Sequence, residues 1–213
     1  MQVHKFTFNA FQENTYIVAD EANNCVIIDP GCYTAEERRE LFDFIEKNAL
    51  QPLAVLNTHA HIDHILGNAA VIEKYAIPFY MHQEDLTTLR AVAGYAHLYG
   101  FEGYIPSPEP TSYIEDGQIL SFGDIHFTVI FGPGHAPGHV AFYSPEENFV
   151  INGDILFRGS FGRTDLPGGD FETLRNTLLN IMFKLPEETV VYSGHGPETT
   201  IGFEKKNNSI YQF

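Results

Sequence analysis

The chain has 213 residues, 44% of them hydrophobic and 14% aromatic, so it can bury a sizeable core with neither disulfides nor a structural metal. Its formal charge of −16 at pH 7 argues against nucleic acid and anionic membrane surfaces as partners. Two cysteines, Cys25 and Cys32, are too few for a disulfide framework and are expected to be reduced; no stretch of about 18 apolar residues occurs, and the expectation is a soluble cytoplasmic protein.

Short runs of β-branched, aromatic and polar residues at 2–8, 14–19 and 24–29, separated by the turn-prone "NAFQEN" and "DEANN", predict an opening β-meander. "TAEERRELFDFIEKNAL" follows. It begins with a Thr-x-x-Glu capping pattern and places Leu41, Phe42 and Ile45 on one side, which predicts a helix. The apolar run "QPLAVLNT" predicts a buried strand that ends where a group of histidines begins. A helix over 66–76, a strand at "IPFYMH" and a helix over "QEDLTTLRAVAGYAHL" continue the alternation. From 111 the pattern turns to strands, at "TSYIED", "QILSFG", "IHFTVIFG", "VAFYSP" and "NFVINGDILF". A last helix at about 170–183 precedes the strand "TVVYSG". With no short internal repeat and no linker rich in Gly, Ser or Pro, residues 1–213 are expected to form a single layered domain of α/β or α+β type.

The group of histidines is "NTHAHIDHILG", with His59, His61, Asp63 and His64 inside six positions. Residues i and i+2 of an extended segment project to one side, so His59 and His61 can share one ion. A helix starting just beyond them turns Asp63 and His64 toward the same cavity. Burying so many polar groups with no partner ion would cost several kcal/mol. Imidazole nitrogens with carboxylate oxygens suit zinc, and also iron, manganese or cobalt. His4, His82, His97 and His126 lack such company and are read as surface or core residues.

Later strands also end in ligand-type side chains. "FGPGHAPGH" offers His135 and His139, "VINGDILF" offers Asp154, and "VVYSGHGP" offers His195, each near a glycine that permits a tight turn. Together these residues are enough for two closely spaced divalent metals, with Asp154 placed to bridge them.

"THAHIDH", "GPGHAPGH", "GD" and "SGHGP", taken in order over nearly the whole chain, resemble the metallo-β-lactamase superfamily, and within it the short glyoxalase II-like hydrolases. The resemblance implies a four-layer αββα sandwich of α+β class, with two central mixed sheets flanked by helices and the metals at one edge. It also implies that His59, His61 and His135 hold one metal and Asp63, His64 and His195 the second, with Asp154 bridging. His139 would then serve in hydrogen bonding or packing behind the ligands. Two divalent ions, zinc by expectation with iron or manganese as substitutes, would share a hydroxide as nucleophile and polarise a carbonyl oxygen. Asp63 would orient that hydroxide or take its proton. The reaction implied is hydrolysis of an ester, thioester or amide.

The substrate expected is a small thioester, with a glutathione conjugate such as a hydroxyacylglutathione as the leading case. Arg163 in "GSFGRTDLPGGD" is the candidate for binding a substrate carboxylate, or else pairs with Asp165 or Asp170. The aromatic residue that glyoxalase II carries just after this position is Asp165 here, and the expectation is a chain without the helical C-terminal domain of the full-length enzymes. The "GRTD" segment is also similar to that of the persulfide dioxygenases, which use a single iron held by the equivalents of His59, His135 and Asp154. A lactonase or β-lactamase activity fits the same ligand pattern, and a non-catalytic metal-binding protein is the plainest alternative. Tyr95, Tyr99, Phe101 and Tyr104 lie on a loop that either covers the site or packs on the core.

Overall fold

A computed structural model describes all 213 residues. They fall into two compact units, one of residues 1–114 with 121–126 and the other of residues 115–120 with 127–213. The first unit holds strands β1 (Gln2–Phe8), β2 (Glu13–Ala19), β3 (Asn24–Ile28), β4 (Gln51–Leu56), β5 (Phe79–His82) and β6 (Ser112–Ile114), hydrogen-bonded in that order. The opening meander β1–β2–β3 is antiparallel, whereas β3–β4, β4–β5 and β5–β6 are parallel. Parallel neighbours need crossover connections. Helix α1 (Ala35–Lys47) supplies the first and α2 (Ile62–Ile65) with α3 (Asn68–Tyr75) the second; α4 (Leu86–Tyr95) stands in the third.

Strands β2 and β3 are buried on both faces, as the runs "NTYIVA" and "CVII" require. Ile17, Ile27 and Val55 from the sheet meet Leu41 and Ile45 of α1, Val71 of α3 and Leu89 and Val92 of α4 in one apolar cluster. Cys25 and Cys32 are separate buried thiols, and burial pushes each up to about 12, leaving them protonated and inert.

The second sheet runs β14 (Thr199–Thr200), β13 (Val190–Ser193), β10 (Phe149–Gly153), β9 (Val140–Ser144), β8 (Ile125–Phe131) and β7 (Ile119–Phe122). It is mixed, since β10 pairs with β13 in parallel and with β9 antiparallel. Val150 and Val191 of the sheet pack with Leu174 and Leu178 of α5 (Phe171–Asn180), and with Ile201 of α6 (Ile201–Asn207). No helix is long and apolar enough to cross a membrane.

Three expectations are refined. The helix over 66–76 is α3 and begins at Asn68, because the Gly67 N–H donates to the Pro30 carbonyl at 2.7 Å and separates it from α2. The strand over 148–157 ends at Gly153, whose φ of 50° turns the chain; the remainder, β11 (Leu156–Phe157), pairs with β12 (Ser160–Phe161). The helix over 83–98 is α4 flanked by 3-10 turns at Gln83–Asp85 and Ala96–Tyr99. Helix α6 had no sequence expectation. It is seven residues long with a glycine at its second position, so its periodicity is weak.

The capping pattern at α1 is realised in full. Thr34 Oγ1 accepts the Glu37 N–H at 3.1 Å, and Glu37 Oε2 accepts the Thr34 and Tyr33 N–H groups at 2.9 and 2.8 Å. Thr34→Ala is expected to lower stability by about 1 kcal/mol, read from the denaturant midpoint, with Thr34→Ser retaining most of it.

Candidate metal centre

In the first unit the histidine segment is a loop hung between β4 and α2. His61 is extended, with φ −65° and ψ 150°, and α2 begins immediately after it, so Asp63 and His64 occupy its first turn. The ring of His59 lies 4.7 Å from that of His61 and 4.1 Å from that of His64, centroid to centroid. All four side chains are buried, with residue exposures between 0 and 9%.

What holds this loop is Asp29, at the end of β3 in the left-handed region with φ 49°. Its Oδ1 accepts the Thr58 N–H at 2.7 Å and the Asn57 side-chain amide at 3.1 Å; its Oδ2 accepts the Thr58 hydroxyl at 2.6 Å and His64 Nδ1–H at 3.1 Å. Two tautomers follow. His64 donates from Nδ1, which leaves its lone pair on Nε2, 3.7 Å from Asp63 Oδ2. The single proton of Thr58 goes to Asp29, so at 3.1 Å its oxygen can only accept from His59 Nδ1–H, and the His59 lone pair is also on Nε2. One carboxylate thereby aims two imidazoles in the way that hydrogen bonds behind a metal ligand do.

Asp29, His59 and His64 bring potential ligand atoms within 4.8 Å of one another. With four donors on its two oxygens, Asp29 is the orienting group of this trio, which leaves the histidines as the candidate ligands. Further polar groups brace the loop. Asp85 accepts the Ala60 N–H at 2.7 Å, and the Asn9 amide donates to the carbonyls of Gly31 and Asp63 at 3.0 and 3.1 Å. Beneath lies Glu13, fully buried, its carboxyl pushed well above the usual range by burial and held back in part by His64, whose Nδ1 is 4.0 Å away. Gly31 leaves room for it, since a Cβ there would collide with Glu13 Oε2.

The second unit presents its candidates around one oxygen. Asp154 Oδ2 lies 3.5 Å from His135 Nε2 and 3.4 Å from His195 Nε2. Asp154 follows the turn at Gly153, whose carbonyl accepts the Gly194 N–H at 2.7 Å next to His195. His135 is oriented by Nδ1–H donation to the Arg163 carbonyl at 2.7 Å, which puts its lone pair on the Nε2 that faces Asp154. Gly162 makes this approach possible, because a Cβ there would strike the Asp154 carbonyl. His139 faces the other way. Its Nε2 accepts the Asp154 N–H at 3.0 Å, so its lone pair is committed to placing the Asp154 backbone.

Arg163, the candidate for substrate binding, forms a bidentate pair with Asp165, with Nε–Oδ1 and Nη2–Oδ2 both 2.7 Å. The guanidinium holds the Asp165 carboxyl down to about 2, although both side chains are exposed and water screens the pair. Asp29, Asp85, Asn9 and Glu13 escaped the sequence reading. The one local signal is an acidic residue closing the buried run "CVIID" before Pro30.

The donor set suits a divalent transition metal: neutral imidazoles with Nε2 lone pairs, fixed from behind, together with carboxylates. Asp29→Asn replaces an acceptor of four hydrogen bonds by an amide whose nitrogen cannot accept any of them. It is expected to weaken metal affinity by about 10- to 100-fold in a chelator competition, with the far-UV spectrum preserved.

The profile of the metallo-beta-lactamase superfamily matches residues 8–195. The chain is 31% identical to the hydroxyacylglutathione hydrolase GloC of Haemophilus influenzae, over 98% of this chain and 96% of that one. Among solved structures it is similar to TTHA1623 in a di-iron-bound form, with 40% identity, 97% and 98% coverage and a TM-score of 0.87. It is also similar to the BLEG-1 B3 metallo-beta-lactamase, with 36% identity, complete coverage of both chains and a TM-score of 0.89. With its two mixed sheets flanked by helices and these ligand-bearing strand ends, the chain belongs to the metallo-beta-lactamase superfamily of metal-dependent hydrolases.

Proposed function

We propose that the two ligand sets act together on a pair of divalent ions, and that the protein hydrolyses small thioesters, hydroxyacylglutathiones among them. The observation that carries this reading is the Asp154 carboxylate oxygen set between His135 and His195, whose nitrogens lie 3.5 and 3.4 Å from it. An anionic oxygen shared by two imidazoles is the arrangement a bridging carboxylate needs. His59, His61 and His135 would hold one ion and Asp63, His64 and His195 the other. Zinc and iron both suit these donors, and the likeness to a di-iron-bound structure gives iron equal standing. When bound, such a pair ionises water near neutral pH and polarises a carbonyl oxygen.

The chain's own residues do the rest. Asp63, fixed through its backbone carbonyl by Asn9, presents a carboxylate to orient the attacking water and receive its proton. Asp29 and His139 keep ligands and bridge in register from behind. Arg163 offers a cation for an anionic substrate tail by exchanging Asp165 for it, a swap between exposed partners that costs little. The thioester preference is supported by the likeness to GloC along nearly the full length of both chains.

His61→Ala and Asp154→Ala are each expected to lose bound metal and to lower kcat by at least about a thousandfold while remaining folded. Metal analysis, circular dichroism and a panel of thioesters, a lactone, a β-lactam and glutathione persulfide on one sample check this. Wild-type turnover in metal-stripped protein, or oxygen uptake with the persulfide and no hydrolysis, would refute the hydrolase reading. Arg163→Ala is expected to raise KM for an anionic thioester about tenfold and leave kcat nearly unchanged.

A further inference from the structure

Asp154 and Arg163 flank one short hairpin of the second unit. Its strands, β11 and β12, pair Leu156 with Phe161 and Phe157 with Ser160, and form a sheet of their own. So little pairing does not hold a hairpin in place in water. Its position is therefore set by what grips it. The first arm is tied to the large sheet, because the Leu156 carbonyl accepts the Ser193 hydroxyl at 2.7 Å and the Asn152 side-chain amide at 3.1 Å. The second arm leads through Gly162 to the Arg163 carbonyl, the acceptor that fixes the His135 tautomer. Its Phe161 ring rests on Phe171 with 5.9 Å between centroids, an apolar contact that carries no direction.

Direction comes from side chains that follow His195 in sequence. Both carboxylate oxygens of Glu204, a fully buried residue of α6, accept the Gly159 N–H at 3.0 Å in the hairpin turn. Oε1 also accepts the Thr199 hydroxyl at 2.6 Å, and Oε2 the Asn208 side-chain amide at 2.7 Å. That amide donates as well to the Ser160 carbonyl at 2.8 Å, and the Ser209 N–H donates to the Gly159 carbonyl at 3.1 Å. The polar backbone atoms where the turn enters β12 are thus bound by Glu204 and its neighbours. A buried carboxylate with three donor groups plays here the part that Asp29 plays in the first unit, one step further from the ligand. It holds the strand whose end carries the acceptor, and ligand geometry of this kind is kept only when its support is itself locked.

We propose that Glu204 is a positioning residue of the metal centre: by holding the turn at Gly159 it sets where the Arg163 carbonyl stands, and so aims His135. This rests on the metal-ion reading above, in which His135 is a ligand. The test uses the full chain loaded with zinc, titrated with a competing chelator. Glu204→Gln sets an amide NH2 against donors and is expected to weaken zinc binding by about tenfold. Thr199→Val removes one donor to Glu204 at nearly unchanged shape, a milder change that keeps the chain folded, and is expected to weaken it about threefold. The control is Thr189→Val, which removes another buried threonine hydroxyl of the same unit, one that donates to Asn148 Oδ1 at 3.0 Å and not to Glu204. It is expected to lower the denaturant midpoint as Thr199→Val does and to leave zinc affinity unchanged. In the metal-free chain, proton–nitrogen correlation NMR of the imidazoles reads the Nδ1–H tautomer of His135, expected to lose its dominance in Glu204→Gln and Thr199→Val and to keep it in Thr189→Val. If the wild type retains no zinc yet His135 loses its tautomer in those two variants, the metal reading fails and the positioning role stands. Wild-type zinc affinity and tautomer in folded Thr199→Val, or an equal loss of zinc in Thr189→Val, would overturn it.

Discussion

Four hydrogen bonds to one buried carboxylate organise the candidate ligands of the first unit. Asp29 sits where β3 leaves the sheet and binds Asn57, Thr58 and His64 across a separation of about 30 residues, a distance in sequence that the parallel pairing of β3 with β4 closes. Without that acceptor each imidazole has two tautomers and a free ring flip; with it, His59 and His64 each keep the lone pair on Nε2. The candidate ligand loop is thus preorganised by hydrogen bonds, which would lower the reorganisation that binding an ion requires.

The second unit solves the same problem with different parts. There the orienting acceptor is a backbone carbonyl, that of Arg163, and the orienting donor is the Asp154 backbone N–H itself, captured by His139. Glycines at 153 and 162 let these backbones approach each other, and a side chain at 162 would collide with the Asp154 carbonyl. The tight turns that place the ligands are therefore as specific as the ligands.

At a net charge of −16, binding of an anionic substrate would need local positive charge to offset the chain's own field. Bound ions would supply such charge, and the exposed Arg163 guanidinium, paired with Asp165, is a further cation on the surface.

The ligand candidates were legible because their chemistry is concentrated: three imidazoles and a carboxylate in six positions have no rationale in propensity, and the later His and Asp residues stand beside glycines at strand ends. The strand and helix alternation was legible from apolar periodicity, which depends only on residue order. Breaks within elements, at Gly67 and Gly153, were not, because each is caused by a partner distant in sequence, the Pro30 carbonyl in one case and the β10 turn beside Gly194 in the other. Nor were the roles of Asp29 and Asn9, since no local pattern says which donor a buried carboxylate or which carbonyl a side-chain amide will meet. By itself the sequence determined which atoms are able to hold an ion, a property of side-chain type. Only the tertiary structure decided which way each imidazole points and which carboxylate aims rather than binds, because hydrogen-bond partners are set by through-space geometry.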